Sequence, residues 1–90
     1  MTDFSAVAHD LNVLTKLAEF TSEQETEVQH YIDVGEYGLA LETVRDILLE
    51  ENMHVSVAVF NKVVAIGQSM NLPMQNWQEL RKRIEGEDIS

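Results

Sequence analysis

The chain has 90 residues, a formal net charge of −10 and no cysteine. That length holds one domain around one core, and the missing cysteines exclude disulfides and thiolate metal sites. The charge argues against nucleic acid or an anionic membrane as a partner, because both are polyanions.

Leu, Ile, Val and Phe supply 27 of the residues, enough for a folded core. No apolar stretch approaches the roughly 18 residues that span a bilayer. Met1 to Asp10 carries two acids and no base, unlike the basic start of a secretion signal. A cytoplasmic protein is expected.

The first helix is marked by Phe4, Val7, Leu11, Leu14 and Ala18, which recur at three- and four-residue steps. Ser22 and Glu25 have the spacing of a capping box, so a second helix should run from about Glu23 to Val34 and bury Val28, Tyr31 and Ile32. Gly35 suits the left-handed residue that closes a helix. A third helix follows from Glu36 to about Glu51, with Tyr37, Ala40, Leu41, Val44, Ile47 and Leu48 as its core stripe and Asn52 at its end.

Residues 53–55 could pass for a short strand and are read as a connector. Ser56 can cap a fourth helix lined by Phe60, Val63, Val64, Gly67 and Met70. Asn71-Leu72-Pro73 stops it. A last helix, about Gln75 to Ile84, would turn Trp77, Leu80 and Ile84 inward and place Arg81, Lys82 and Arg83 in its final turn. Residues 85–90 read as a flexible tail. The expected fold is all-α: a single domain over 1–90, a small bundle of four to five short helices.

The charge is unevenly placed. Residues 19–51 hold ten carboxylates against Arg45 alone, a net −9, while residues 52–90 sum to zero. A generic soluble surface intersperses its signs. On a helical wheel Glu42, Asp46 and Glu50 of the third helix lie opposite its core stripe, with Leu39 and Leu49 in the same arc. The three acids repel at i,i+4 spacing. The arc is either a face wrapped by other helices or a contact surface of apolar anchors ringed by carboxylates.

Chemistry beyond charge is sparse. His9, His30 and His54 have no ligand-spaced partner, and the four glycines form no phosphate-cradling loop. The acids of 23–36 stand at helical spacing, not that of a calcium loop. Catalytic carboxylate pairs need a pocket that separates their pKa values, and a small bundle offers little. No catalytic residue, metal or cofactor is expected.

The stretch Tyr31-Ile32-Asp33-Val34-Gly35-Glu36-Tyr37-Gly38-Leu39-Ala40-Leu41-Glu42 resembles the MafI-like immunity proteins, which protect bacterial cells from polymorphic secreted toxins of the MafB and contact-dependent-inhibition kind. The resemblance continues through Ile47 to Glu51, Val63 to Leu72 and Trp77, and so covers about residues 28–80. Its distinctive part is Gly35-Glu36-Tyr37-Gly38-Leu39-Ala40-Leu41-Glu42.

The resemblance implies a small helical antidote that binds the C-terminal domain of its cognate toxin, a basic nuclease, in a one-to-one complex. Several such toxins are RNases, some EndoU-like. The motif itself sits where two helices join and is read as mainly structural. The interface is expected at Glu42, Asp46, Glu50 and Glu51 of the third helix, with Glu23, Glu27 and Asp33 of the second.

Three other readings compete. An acidic adaptor that mimics nucleic acid shares the same electrostatics and differs only in its partner. An acyl-carrier domain needs a serine in an Asp-Ser-Leu context, whereas Ser22 follows Thr21 and Ser56 lies between two valines. A colicin-type DNase antidote would carry paired tyrosines, and Tyr31 and Tyr37 are six apart.

Overall fold

A computed structural model describes residues 3–51 and 55–84. Among them the chain forms α1 (Phe4–Leu17), α2 (Ser22–Asp33), α3 (Tyr37–Glu50) and α4 (Val57–Ser69), then a 3-10 turn (Met74–Trp77) that runs into the one-turn α5 (Gln78–Arg81). The expected all-α bundle is what forms. The connector at residues 53–54 and the tail at 85–90 lie outside the described residues, as do Asn52 and His54.

The starts of α1, α2 and α4 are fixed by side chains. Asp3 Oδ1 accepts from the N–H groups of Ser5 and Ala6 at 3.1 and 3.2 Å. Ser56 Oγ accepts from Val59 N–H at 3.1 Å, as its position suggested. The capping box is shifted by one residue from expectation. Thr21 is the extended N-cap; its hydroxyl accepts from Gln24 N–H, and the Gln24 amide oxygen accepts from Thr21 N–H. Glu25, freed from capping, instead pairs with Lys16 at 3.1 Å and ties α2 to α1.

Three helices end the same way. After α2, Glu36 N–H donates to Tyr31 O and Gly35 N–H to Ile32 O around a left-handed Gly35 at φ 79°. After α4, Leu72 and Asn71 donate to Gly67 O and Gln68 O around Asn71 at φ 60°. After α1, Phe20 and Glu19 donate to Thr15 O and Lys16 O around Glu19 at φ 59°. Asn tolerates that conformation and Glu does not, at a cost of about 1 kcal/mol. Glu19→Gly is therefore expected to raise the melting temperature by a few degrees, and an unchanged or lower value in thermal unfolding would contradict the closing geometry.

The core is one cluster drawn from every element, and Leu11, Leu14, Ala40, Leu41, Val44, Val55, Val63 and Leu80 have no accessible surface. α2 packs most closely on α3, and α1 lies against both α3 and α4. Each fully buried large side chain contributes roughly 1.5–3 kcal/mol.

Several expectations need correction. Phe4 is 49% exposed and stacks on Tyr37 at 5.0 Å, so Tyr37, half-buried, joins α1 to the α2–α3 junction instead of sitting in the core. Tyr31 is half-buried beside an edge-on His30. In α4 the buried row is Val59, Phe60, Val63, Ile66 and Gly67; Val64 and Met70 are only half-buried at its margins.

The last helix is not continuous. Met74–Trp77 winds as a 3-10 turn, closed by Asn76 N–H to Pro73 O, and Trp77 at φ −113° breaks the α geometry before Gln78. Ile84 is not helical either. It pairs with Val55 in an isolated parallel bridge, which gives the connector one strand-like residue after all.

Candidate functional site

Residues 19–51, which contain α2 and α3, the two helices in closest contact, carry −9 of the net −10. At about 100° per residue, Glu42, Asp46 and Glu50 lie within about 80° of one another on the side of α3 opposite Val44. Asp46 and Glu50 are exposed and Glu42 is half-buried. Glu23 and Glu27 form a second exposed row on α2.

The other two expected site residues stand apart. Asp33 lies about 120° around α2 from Glu27 and accepts a 2.8 Å hydrogen bond from the Gln29 amide. Glu51 is the C-cap of α3, turned about 100° away from Glu50. It remains exposed because the helix ends there.

Few of these acids are neutralised. Asp46 accepts from Arg45 Nε at 3.0 Å. Among the described residues Glu23, Glu27, Glu42, Glu50 and Glu51 have no ion-pair partner. Arg45 is itself committed inward. Its guanidinium lies 5.8 Å from the Trp77 ring centroid and donates to Asn76 O at 3.4 Å. The local field is therefore strongly negative and open to solvent.

Apolar anchors accompany the carboxylates. Leu39 is 45% exposed on the outer side of α3, whereas Leu49 folds against the core. The arc thus divides between the two readings the wheel allowed. Val34, 59% exposed, was expected to end α2 but is its C-cap, carried outward where Gly35 reverses the chain. The glycine was the available signal for that exposure.

The arrangement costs α3 stability. It has no side-chain N-cap, no acid in its first turn and no base in its last. Glu50 and Glu51 instead stand at the negative end of the helix dipole, and the Glu42, Asp46 and Glu50 row repels itself. Packing of Ala40, Leu41, Val44, Ile47 and Leu48 holds the helix in place. Glu50→Lys should consequently stabilise the fold by about 0.5 kcal/mol; a lower urea midpoint in this variant would mean Glu50 makes a favourable contact of its own.

Other sites are limited. No group of three or more His, Asp or Glu side chains among the described residues is placed to hold a metal ion. No described helix is long and apolar enough to cross a membrane. One groove of about 370 Å³ lies under Phe60, Met74, Trp77, Gln78, Arg81 and Lys82. A polar cleft of about 440 Å³ runs from Arg45 and Asp46 to Glu79. Comparison of the chain with family models, with curated proteins and with solved structures finds no match.

Proposed function

We propose that this protein is an antidote: it binds the basic catalytic domain of a cognate toxin, an RNase, and holds it inactive through the acidic α2–α3 surface. The observation that carries the reading is the concentration of −9 of the net −10 in residues 19–51, where most of the carboxylates are exposed and, among the described residues, only Glu25 and Asp46 have a cationic partner. An RNase must attract a polyanion, so its substrate cleft is basic. A compact acidic surface matches that field and associates fast through electrostatic steering.

The Gly35-Glu36-Tyr37-Gly38 resemblance to MafI-like immunity proteins points the same way. Leu39 and Val34 supply apolar contact inside the charged ring, and Glu23, Glu27, Glu42, Asp46 and Glu50 set orientation. An interface of standard size buries about 800 Å² per partner, a seventh of the 5563 Å² accessible surface. The proposed complex is one-to-one, with a monomeric antidote.

The test is to use the full chain as bait in cells that carry its neighbouring genes and identify what it retains. Recovery of a basic domain whose RNA cleavage stops at one equivalent of this protein is the expected outcome. Recovery of a polymerase subunit or a regulator without nuclease activity would replace the antidote with an acidic adaptor.

A further inference from the structure

Of the two glycines at the α2–α3 junction, one is explained by the fold and the other is not. Gly35 holds φ 79° and closes α2. Gly38 lies in the first turn of α3 without a positive φ, and a Cβ built on it would meet nothing within 4 Å. No turn or packing contact among the described residues calls for glycine there, and glycine weakens a helix relative to alanine. A bare position with no internal reason serves close approach from outside.

The surroundings of Gly38 suit a contact surface. Tyr37, about 100° away on α3, stacks on Phe4 with ring centroids 5.0 Å apart and planes inclined by 18°. The rings belong to the first residues of α3 and α1, and Phe4 is half-exposed. Val34 on the turn and Leu39 beside Gly38 are exposed as well. Asp3, Asp33 and Glu36 immediately precede Phe4, Val34 and Tyr37 in the chain. Glu36 makes no capping bond and has no ion-pair partner among the described residues. Residues 3–15 and 17–44 contain no Lys or Arg, and among the described residues neither ring has a cation over it.

We propose that Phe4, Tyr37 and Gly38 form a docking platform for an arginine-bearing segment of a protein partner, whose backbone crosses the bare Gly38 while a guanidinium lies on the rings beside Glu36. Arginine fits better than lysine, because its planar, weakly hydrated head stacks on aromatic faces. The carboxylates around the rings match its charge and exclude an acidic segment. Tyrosine and arginine are also the side chains on which protein contacts most often turn. The proposal deepens the antidote reading and rests on it for the partner's identity: the basic toxin domain supplies the arginine.

Two measurements test it, the first without that partner. In nuclear magnetic resonance of the isolated chain, tetra-arginine amide should shift the ring signals of Phe4 and Tyr37, and tetra-lysine amide should shift them several-fold less. Gly38→Gln should weaken the arginine response without lowering the melting temperature. Shifts confined to the Glu42, Asp46 and Glu50 row, equal responses to the two peptides, or a Gly38→Gln variant that melts below the parent would overturn the platform and leave the antidote reading untouched. So would ring signals that move on dilution of the protein alone, which would seat a second copy there. With the retained basic domain, Gly38→Gln and Phe4→Leu should each raise the dissociation rate about tenfold at an unchanged association rate, since neither alters the charge. Unchanged dissociation in both variants would overturn the proposal. Arginine binding at the rings with no nuclease retained would sink the antidote alone and leave the platform standing.

Discussion

Replacing Gly67 by alanine is expected to destabilise the protein by up to about 2 kcal/mol, even though alanine is the better helix former. A Cβ there would lie 2.7 Å from Trp77 Nε1 and 3.1 Å from Cε2 and Cζ2. Helix propensity returns about 1 kcal/mol, but overpacking a tight core removes about 1–3. The indole has little freedom to retreat, because it is 1% exposed and Arg45 lies over its ring.

Trp77→Ala should cost more, about 3–5 kcal/mol. A 90-residue domain has only about 5–13 kcal/mol to lose, so this variant should unfold at a much lower urea concentration, read by far-ultraviolet circular dichroism. The contact itself is isolated by repeating Gly67→Ala in a Trp77→Phe background, where the smaller ring leaves room. The penalty should shrink by about 1 kcal/mol or more. An alanine variant that melts higher than the parent would show that Gly67 and Trp77 do not touch as described.

That contact also shows where the chain was legible before its structure. Gly67 and Trp77 were both placed on inward faces, because hydrophobic spacing reports which side of an element is buried. Spacing does not report which side chain meets which across ten residues. The helix order was readable for the same reason. Pro73, Gly35 and Ser56 are punctuation with local causes, and each marks a boundary where expected.

The misses have local causes too. Thr21 and Ser22 are both competent caps, and the choice fell to Thr21 because Gln24, not Glu25, completes the box. Glu19 gave no warning of a left-handed residue, since the conformation is imposed by closing bonds and by the need to bury Phe20. The Val55–Ile84 bridge joins two residues 29 apart and leaves no periodic trace. For the candidate site the acidic rows were visible from composition and wheel alone. The half-burial of Leu49, the outward turn of Val34 and the inward commitment of Arg45 depend on neighbouring elements, and no single-helix argument reaches them.

Neutralising the α3 row should slow association with the retained partner about tenfold at physiological salt. The triple variant Glu42→Gln, Asp46→Asn, Glu50→Gln changes the net charge from −10 to −7. A second triple, Asn61→Lys, Ala65→Lys, Gln68→Lys, makes the same change on the exposed side of α4, where all three residues are solvent-facing. If only total charge mattered, the two would behave alike.

Steering, however, depends on where the field lies, because charges more than about 8 Å apart are screened at physiological salt. The α3 triple should therefore lose most of the rate and most of its salt dependence, and the α4 triple little of either. Asp46→Asn also releases Arg45 from its partner, but that pair is solvent-exposed on the Asp46 side and contributes under about 1 kcal/mol. Arg45 keeps its contacts to Asn76 O and Trp77. Dissociation rates separate the remaining roles: a carboxylate buried in the complex raises the off-rate when neutralised, and one on the rim does not. Equal slowing by both triples would remove the α3 face from the mechanism while leaving the proposed antidote reading in place. Unchanged rates in both would remove steering altogether and leave Leu39 and Val34 as the contacts to examine.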